Sequence, residues 1–230
     1  MSDRFYFDGP LGPGEVTLTG AEAHHASAVR RFEPGDAMTL FNGDGREYPA
    51  RIMEVAKKRV VVRITGVESP DREIGFPLHI ASALPKGDRG DFLIEKLAEL
   101  GVTEFTPLVT ERTVVKATET KADKLRRAVI EASKQCGRNV LMEVHPPAVW
   151  RHWCLHQTGR RLIAQPGNGI GQIARAGVTI AIGPEGGFTD QETEKAVEAG
   201  WELLSLGPRI LRVETAAVAA AVLFGSARQS

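Results

Sequence analysis

Cysteine, net charge and long apolar runs are what this sequence has least of. Cys136 and Cys154 are its two cysteines. That excludes a disulfide-stapled secreted scaffold and reads as reduced thiols in a cytosolic protein. Lys plus Arg and Asp plus Glu stand at 29 each, so the chain does not coat nucleic acid through bulk charge, although local patches stay open. No run approaches the ~18 apolar residues of a membrane span, and MSDRFYFDGP at the start has no apolar core of a signal peptide. The expectation is a cytoplasmic protein without membrane association. Neither GxGxxG nor a P-loop is present, and no serine-centred elbow or paired-carboxylate motif stands out. His152, Cys154 and His156 sit close together in HWCLH, but with no distant partner motif they fit no common zinc spacing, and no metal is expected.

What is present is the composition of an ordinary globular protein, 42% hydrophobic and 25% charged, with room for one large or two modest domains. The first stretch, residues 1–72, reads as short strands and turns. A helix is expected over Ala21–Phe32, then a strand at AMTLFNG, a tight turn at NGDG, a second strand at EYPARIMEV and a third, rich in β-branched residues, at KKRVVVRITGV. This pattern predicts a small β-barrel. SPDREIG is polar and turn-rich and reads as the linker.

Over 73–230 the pattern alternates. FPLHIASAL and EFTPLVT read as strands. Between them RGDFLIEKLAELG reads as a helix, with Phe92, Leu93, Leu97 and Leu100 at helical spacing and Gly101 as its stop. Residues 122–137 form a second helix. RRLIAQP, VTIAIGP and ELLSLGP are short strands that each run into Gly or Pro. Thr189 and Glu192 have capping-box spacing at the start of a helix ending at Gly200. The closing helix, ETAAVAAAVLFGSA, is apolar almost all round, which points to burial on most sides and, at the end of a modest domain, to a second subunit. Alternation of this kind predicts an α/β domain with a mostly parallel sheet.

Two loops carry the chemistry. GPEGGF, Gly183–Phe188, joins a strand to a helix, and its glycines let a ligand approach the backbone. Glu185 disfavours a phosphate and tolerates a cation. LGPRILRVETA, Leu206–Ala216, pairs bending residues with apolar Ile210, Leu211 and Val213, a surface suited to a flat adenine ring. Each loop is equally readable as a plain strand-to-helix connection. Arg112 follows a strand end, Gln135 and Arg138 close a helix, and Arg212 lies in the second loop; together they would form a cationic pocket, and singly each is a solvated surface charge. His24, His25, Arg30, Arg31 and the run Lys57–Arg59 offer a basic face to RNA or to solvent alone. Lys124, Arg126, Arg127 and Lys134 form a stripe that Asp123 and Glu131 weaken.

On HHASAVRRFEPGDAMTLFNGDGREYPARI, ALPKGDRGDFLIEKLAELGVTEFTPLVTERTVVK, AVIEASKQCGR, AIGPEGGFTDQE and LGPRILRVETAA, the chain resembles the ribosomal RNA small subunit methyltransferase E family of the SPOUT class. The resemblance runs through most of the chain. It is weak over 139–177, and Arg30 stands where the family commonly reads leucine. It implies an α/β fold of SPOUT type, with a deep C-terminal trefoil knot and a mostly parallel sheet, behind a small PUA-like β-barrel. It implies a homodimer that transfers a methyl group from S-adenosylmethionine to N3 of a uridine in 16S ribosomal RNA within the 30S subunit. Cofactor contacts would fall on Gly183, Gly187, Leu206, Gly207, Ile210, Leu211 and Thr215, with the strand end Ile163–Gln165 also facing the cofactor. From the basic patches and the helix over 122–137, rather than from the resemblance, RNA contacts are expected at His25, Arg30, Arg31, Lys124, Arg127 and Gln135.

Uridine N3 must lose its proton before it attacks, and nearby cations favour the anion. Arg112, Arg138 and Arg212 are therefore the expected catalytic set. The proton acceptor stays open between Glu214, a water and a partner-subunit group. Two rival readings remain: a non-enzymatic RNA-binding or ribosome-assembly protein, and a dinucleotide-dependent oxidoreductase, against which the missing GxGxxG speaks.

Overall fold

The computed structural model describes residues 3–114, 119–167 and 176–225, with the backbone alone over 119–122. The core of the glycine-rich stretch at 168–175, Lys116 and the last two residues expected in the closing helix lie outside the described residues. The chain divides into two compact units, one of residues 1–73 with 133–141 and the other of 74–132 with 142–230.

The first unit is a five-stranded sheet in the order β1-β3-β4-β5-β2, built from β1 (Arg4–Tyr6), β2 (Gly14–Thr19), β3 (Ala37–Phe41), β4 (Tyr48–Ala56) and β5 (Arg59–Ile64). β4 and β5 pair antiparallel with Ala56 opposite Arg59, so Lys57 and Lys58 form the hairpin turn rather than the start of a strand. Alternation aims Val60, Val62 and Ile64 at the core with Phe5, Leu40, Tyr48 and Ile52, and turns Arg63 out. The expected helix over 21–32 is α1 (Gly20–His24) running into a π-helical turn, His25–Val29. The turn closes with Arg31 at φ 54°, where Phe32 N–H reaches back to the Ala26 carbonyl. An i→i+5 turn leaves no mark in a 3.6-residue hydrophobic period, which is why the sequence reads as one longer helix.

This unit also buries charge. Glu47 Oε2 accepts from Arg4 Nη1 at 2.6 Å, Arg72 Nη1 at 2.8 Å and Asn139 Nδ2 at 3.3 Å. Hydrogen bonds from Arg72, with Arg4 and Asn139 behind them, hold the Glu47 carboxyl down at about 2. Arg138, its side chain 4% exposed, forks onto Glu73 at 2.7 and 3.0 Å. Lys134 donates to Glu22 at 2.9 Å while lying over the Phe5 ring.

The second unit is a parallel sheet in the order β12-β10-β11-β6-β7-β8, with β9 pairing β7. Its strands are β6 (Leu78–Ser82), β7 (Glu104–Val109), β8 (Glu143–Val144), β9 (Ala148–Val149), β10 (Arg160–Gln165), β11 (Val178–Ile182) and β12 (Glu202–Ser205). β6 and β11 are buried along their whole length, as strands covered on both faces must be. The helices are α2 (Arg89–Glu99), α3 (Glu119–Cys136), α4 (Trp150–Trp153), α5 (Asp190–Glu198) and α6 (Val213–Gly225).

In α2 the buried stripe is Leu93, Ile94, Leu97 and Ala98, and Phe92 faces out with Lys96 above its ring. The stripe thus lies one residue further round than Phe92 at its head would place it. α5 carries the expected capping box: Thr189 Oγ1 accepts from Glu192 N at 3.2 Å and Glu192 Oε2 accepts from Thr189 N at 2.9 Å. Trp150, Trp201, Phe188, Ile163 and Ala181 form an aromatic-rich core beneath it. α6 packs on α2, β6 and β11. Its inner residues Ala217, Ala220, Ala221 and Phe224 are buried, whereas Val222 on its outer side is exposed. No helix among the described residues is long and apolar enough to cross a membrane.

Candidate functional site

In a parallel sheet the loops leaving the carboxyl ends of the strands cluster on one side, and ligands bind there. In the second unit β10, β11 and β12 end side by side, and a cleft of about 260 Å³ opens at their ends. The loop after β11 makes one wall. Gly187 N–H donates to Pro184 O at 2.7 Å, closing a tight turn, and Gly187 itself sits at φ +70°. Gly183 is packed against this turn: a Cβ there would stand 3.1 Å from Gly187 C and Phe188 N. Only glycine at this position lets the chain fold back so closely.

The loop after β12 makes the other wall. Gly207 is at φ +107° and donates to Ser205 Oγ at 3.2 Å; Ser205 Oγ in turn donates to Gly167 O at 2.6 Å. This chain of bonds latches the end of β12 to the end of β10. Ile182, Phe188, Leu206, Leu211 and Val213 give the cleft an apolar lining.

Charge is arranged unevenly around it. Arg112 lines the cleft and donates from Nη1 to the Gly186 carbonyl at 2.6 Å, pinning the first loop. Arg89 stands between two carboxylates, at 3.2 Å from Glu214 Oε1 and 3.6 Å from Glu185 Oε1. Glu214 is buried, and its Oε2 has no hydrogen-bond partner among the described residues. Backbone groups exposed by glycines and an apolar lining suit a flat aromatic ligand, and the residues present therefore fit an adenine-bearing cofactor.

Of the residues expected to hold a cofactor, Gly183, Gly187, Leu206, Gly207, Ile210 and Leu211 all line this cleft. Thr215 is exposed on the first turn of α6 and is not part of the lining. The strand end expected to face the cofactor contributes Ala164 and Gln165. Of the expected catalytic arginines, Arg112 is in the lining. Arg212 is exposed beside it, and its side chain has no hydrogen bond or ion pair among the described residues. Arg138 belongs to the first unit, in its fork with Glu73.

Among the expected RNA contacts, His25 is half-buried with its ring 5.5 Å from that of Phe5, Arg30 is paired with Asp3, and Arg31 is exposed. Lys124 is paired with Asp91 at 2.6 Å, while Arg127 and Gln135 are exposed. Sequence reasoning left Arg209, which lines the cleft, out of the candidate site, and missed the Arg89 bridge. Arg209 carried a signal, being in the same loop as Arg212. Arg89 carried none, because its partners come from distant segments.

Residues 72–225 match the family model of an RNA methyltransferase domain, and residues 18–65 match that of an RNA methyltransferase PUA domain. The ribosomal RNA small subunit methyltransferase E of Bacillus subtilis (strain 168) is 33% identical over 221 residues, covering 87% of this chain and 85% of that protein. A solved methyltransferase structure from Legionella pneumophila, in complex with the bound cofactor SAM, superposes with a TM-score of 0.92 at 37% identity over 98% of both chains. The ribosomal RNA small subunit methyltransferase E from Neisseria gonorrhoeae bound to S-adenosyl methionine superposes with a TM-score of 0.89 at 33% identity over 96% of both chains.

Proposed function

The chain belongs to the ribosomal RNA small subunit methyltransferase E family and has its SPOUT-type α/β fold with an N-terminal PUA-like domain, and from that premise we propose that it methylates N3 of a uridine in 16S ribosomal RNA, using S-adenosylmethionine. The observation that carries the reading is the cleft built by two glycine-bearing loops at the ends of β10, β11 and β12. Gly183, Gly187, Leu206, Gly207, Ile210 and Leu211 would hold the cofactor, and Thr215, on the first turn of α6, would join them only if it turned towards the cleft. When bound, the cofactor supplies an activated methyl group on a sulfonium.

The chain's own residues do the rest. The apolar lining excludes water from the cofactor's ring. Arg112, pinned to Gly186, borders the cleft with a fixed positive charge. Arg212, exposed and unpaired among the described residues, is free to meet the nucleotide and favour the N3 anion. Arg138 would serve in the same set; its fork with Glu73 neutralises much of its charge and fits it to positioning. Holding both reactants in line is worth several kcal/mol by itself.

We assign residues 1–72 to RNA binding and 73–230 to methyl transfer. His25, Arg30, Arg31, Lys124, Arg127 and Gln135 would touch the RNA. The outer side of α6, with Val222 exposed, would be covered by a second copy, making a cytoplasmic homodimer that acts on the 30S subunit. Incubating the protein with 30S subunits and labelled S-adenosylmethionine, followed by mass spectrometry of 16S RNA fragments, tests this. A single methyl group on a uridine base is the expected product. Calorimetric titration with S-adenosylhomocysteine and with NAD is the companion test: binding of neither points to a non-enzymatic RNA-binding protein, and binding of NAD alone overturns the proposal.

A further inference from the structure

The strongest cluster of unassigned chemistry lies at the other end of the same sheet. His79 is the second residue of β6 and pairs in register with Glu104, the first residue of β7; Glu104 pairs with Glu143 of β8, and His145 follows β8 directly. In-register neighbours of a parallel sheet share a face, and so do residues two apart on one strand. His79, Glu104, Thr106, Glu143 and His145 therefore form one polar patch. Such a patch is out of character for β6, whose five residues are all buried.

The side chains converge. One donor atom from each of His79, Glu104 and His145 lies within 4.8 Å of the others. His145 Nε2 is 2.8 Å from Glu104 Oε2, and the two imidazole rings are 5.5 Å apart. His79 Nε2 is 2.8 Å from Thr106 Oγ1, and Trp153 stands edge-on to the His79 ring. Glu143 Oε1 is 3.5 Å from His145 Nδ1. Two imidazoles and a carboxylate are a zinc donor set. Bonds of about 2.0–2.1 Å in a tetrahedron place ligand atoms ~3.3 Å apart, a spacing these side chains reach by small rotations.

We propose that His79, Glu104 and His145 form a site for zinc or a closely related transition-metal ion, which clips β6, β7 and β8 together at the end of the sheet remote from the cleft. The nitrogen donors select against magnesium and calcium, which take oxygen ligands. Thr106 orients His79, and Glu143 faces the other ring nitrogen of His145. The site is separate from HWCLH, whose three donors are crowded into one short segment.

The test uses the full chain, stripped with a chelator and titrated with zinc chloride by calorimetry. Replacement by cobalt(II) gives an absorption spectrum that reads the geometry. One equivalent of zinc per chain, tetrahedral cobalt bands and no heat with magnesium are expected. His145→Ala and Glu104→Gln should each abolish stoichiometric binding, Thr106→Val should weaken it about 10-fold, and His156→Ala should leave it intact. The Glu104 side chain is 37% exposed, so Glu104→Gln should keep the fold, which tryptophan fluorescence of the metal-free protein checks. Absence of zinc binding to the wild-type chain overturns the proposal. So does binding that survives Glu104→Gln and His145→Ala but is lost in His156→Ala.

Discussion

The first unit uses its charges on itself, and the second leaves some of them unspent at the cleft. In the first, Glu47 collects Arg4, Arg72 and Asn139, Arg138 forks onto Glu73, and Lys134 reaches Glu22. In the second, Arg212 stands exposed with no side-chain partner among the described residues. The difference teaches that a buried, paired guanidinium holds structure and at most positions, because breaking its pair is costly, whereas an unpaired one beside a cleft is available to a ligand.

The largest expected effect comes from taking the unpaired charge away. Arg212→Ala should slow single-turnover methylation of 30S subunits by a factor on the order of 10²–10³ at saturating cofactor, the range for losing one donor aimed at developing charge. Affinity for S-adenosylhomocysteine should stay within a few-fold. An unchanged rate would remove Arg212 from the catalytic set and erase the contrast drawn above. Gly183→Ala attacks the cleft from its wall instead. Its Cβ would sit 3.1 Å from backbone atoms of Gly187 and Phe188, so the turn must shift. Affinity for the cofactor should fall by about 10-fold, the loss of ~1.4 kcal/mol of contact; the check is calorimetry with S-adenosylhomocysteine. Normal affinity would mean that this loop does not hold the cofactor.

The paired charges are tested through stability. Glu47→Gln should cost about 3 kcal/mol, as for breaking a buried ion pair on one side. The loss should appear first as faster amide exchange in β4. The tryptophans, all in the second unit as Trp150, Trp153 and Trp201, should report it later or not at all. The pH dependence has a fixed sign. The Glu47 carboxyl is at about 2 in the folded chain against an ordinary 4.5, so the unfolded chain binds its proton first as pH falls. The contribution is complete above about 4.5 and drains away between 4.5 and 2. Glu47→Gln should flatten that part of the stability curve. A curve identical to wild type would show that the network is not what the fold depends on.

How much of this was legible beforehand depended on the range of each interaction. The capping box was readable because Thr189 and Glu192 answer each other within one turn. The two cleft loops were readable as turns because glycine is needed locally, at Gly187 for its φ and at Gly183 for its packing. Their joint cleft was readable only as a possibility, since it depends on β10, β11 and β12 ending together. The grouping of 133–141 with the first unit had no local signal either, because Asn139 and Arg138 find Glu47 and Glu73 only in the folded chain. The proposed metal donors carried no local signal either, because His79, Glu104 and His145 are gathered by strand register from three separate segments.

The smallest expected effect tests the paired-versus-free distinction on a single helix. Lys124 and Arg127 both lie exposed on α3, but Lys124 is held by Asp91 at 2.6 Å, while Arg127 has no side-chain partner among the described residues. A cation engaged with a carboxylate must give up that partner before it can neutralise a phosphate, so its net gain on binding RNA is small. A free cation displaces only counterions. Arg127→Ala should therefore lower the slope of log affinity against log salt for a 16S fragment by ~0.7–0.9, one phosphate contact, and weaken binding by less than 1–2 kcal/mol at physiological salt. Lys124→Ala should leave both within error, and Asp91→Asn should raise affinity slightly by releasing the lysine. If the two lysine and arginine variants behave alike, pairing in the free protein is no guide to which cations meet the RNA, and the reading of Arg212 would lose its physical basis along with theirs.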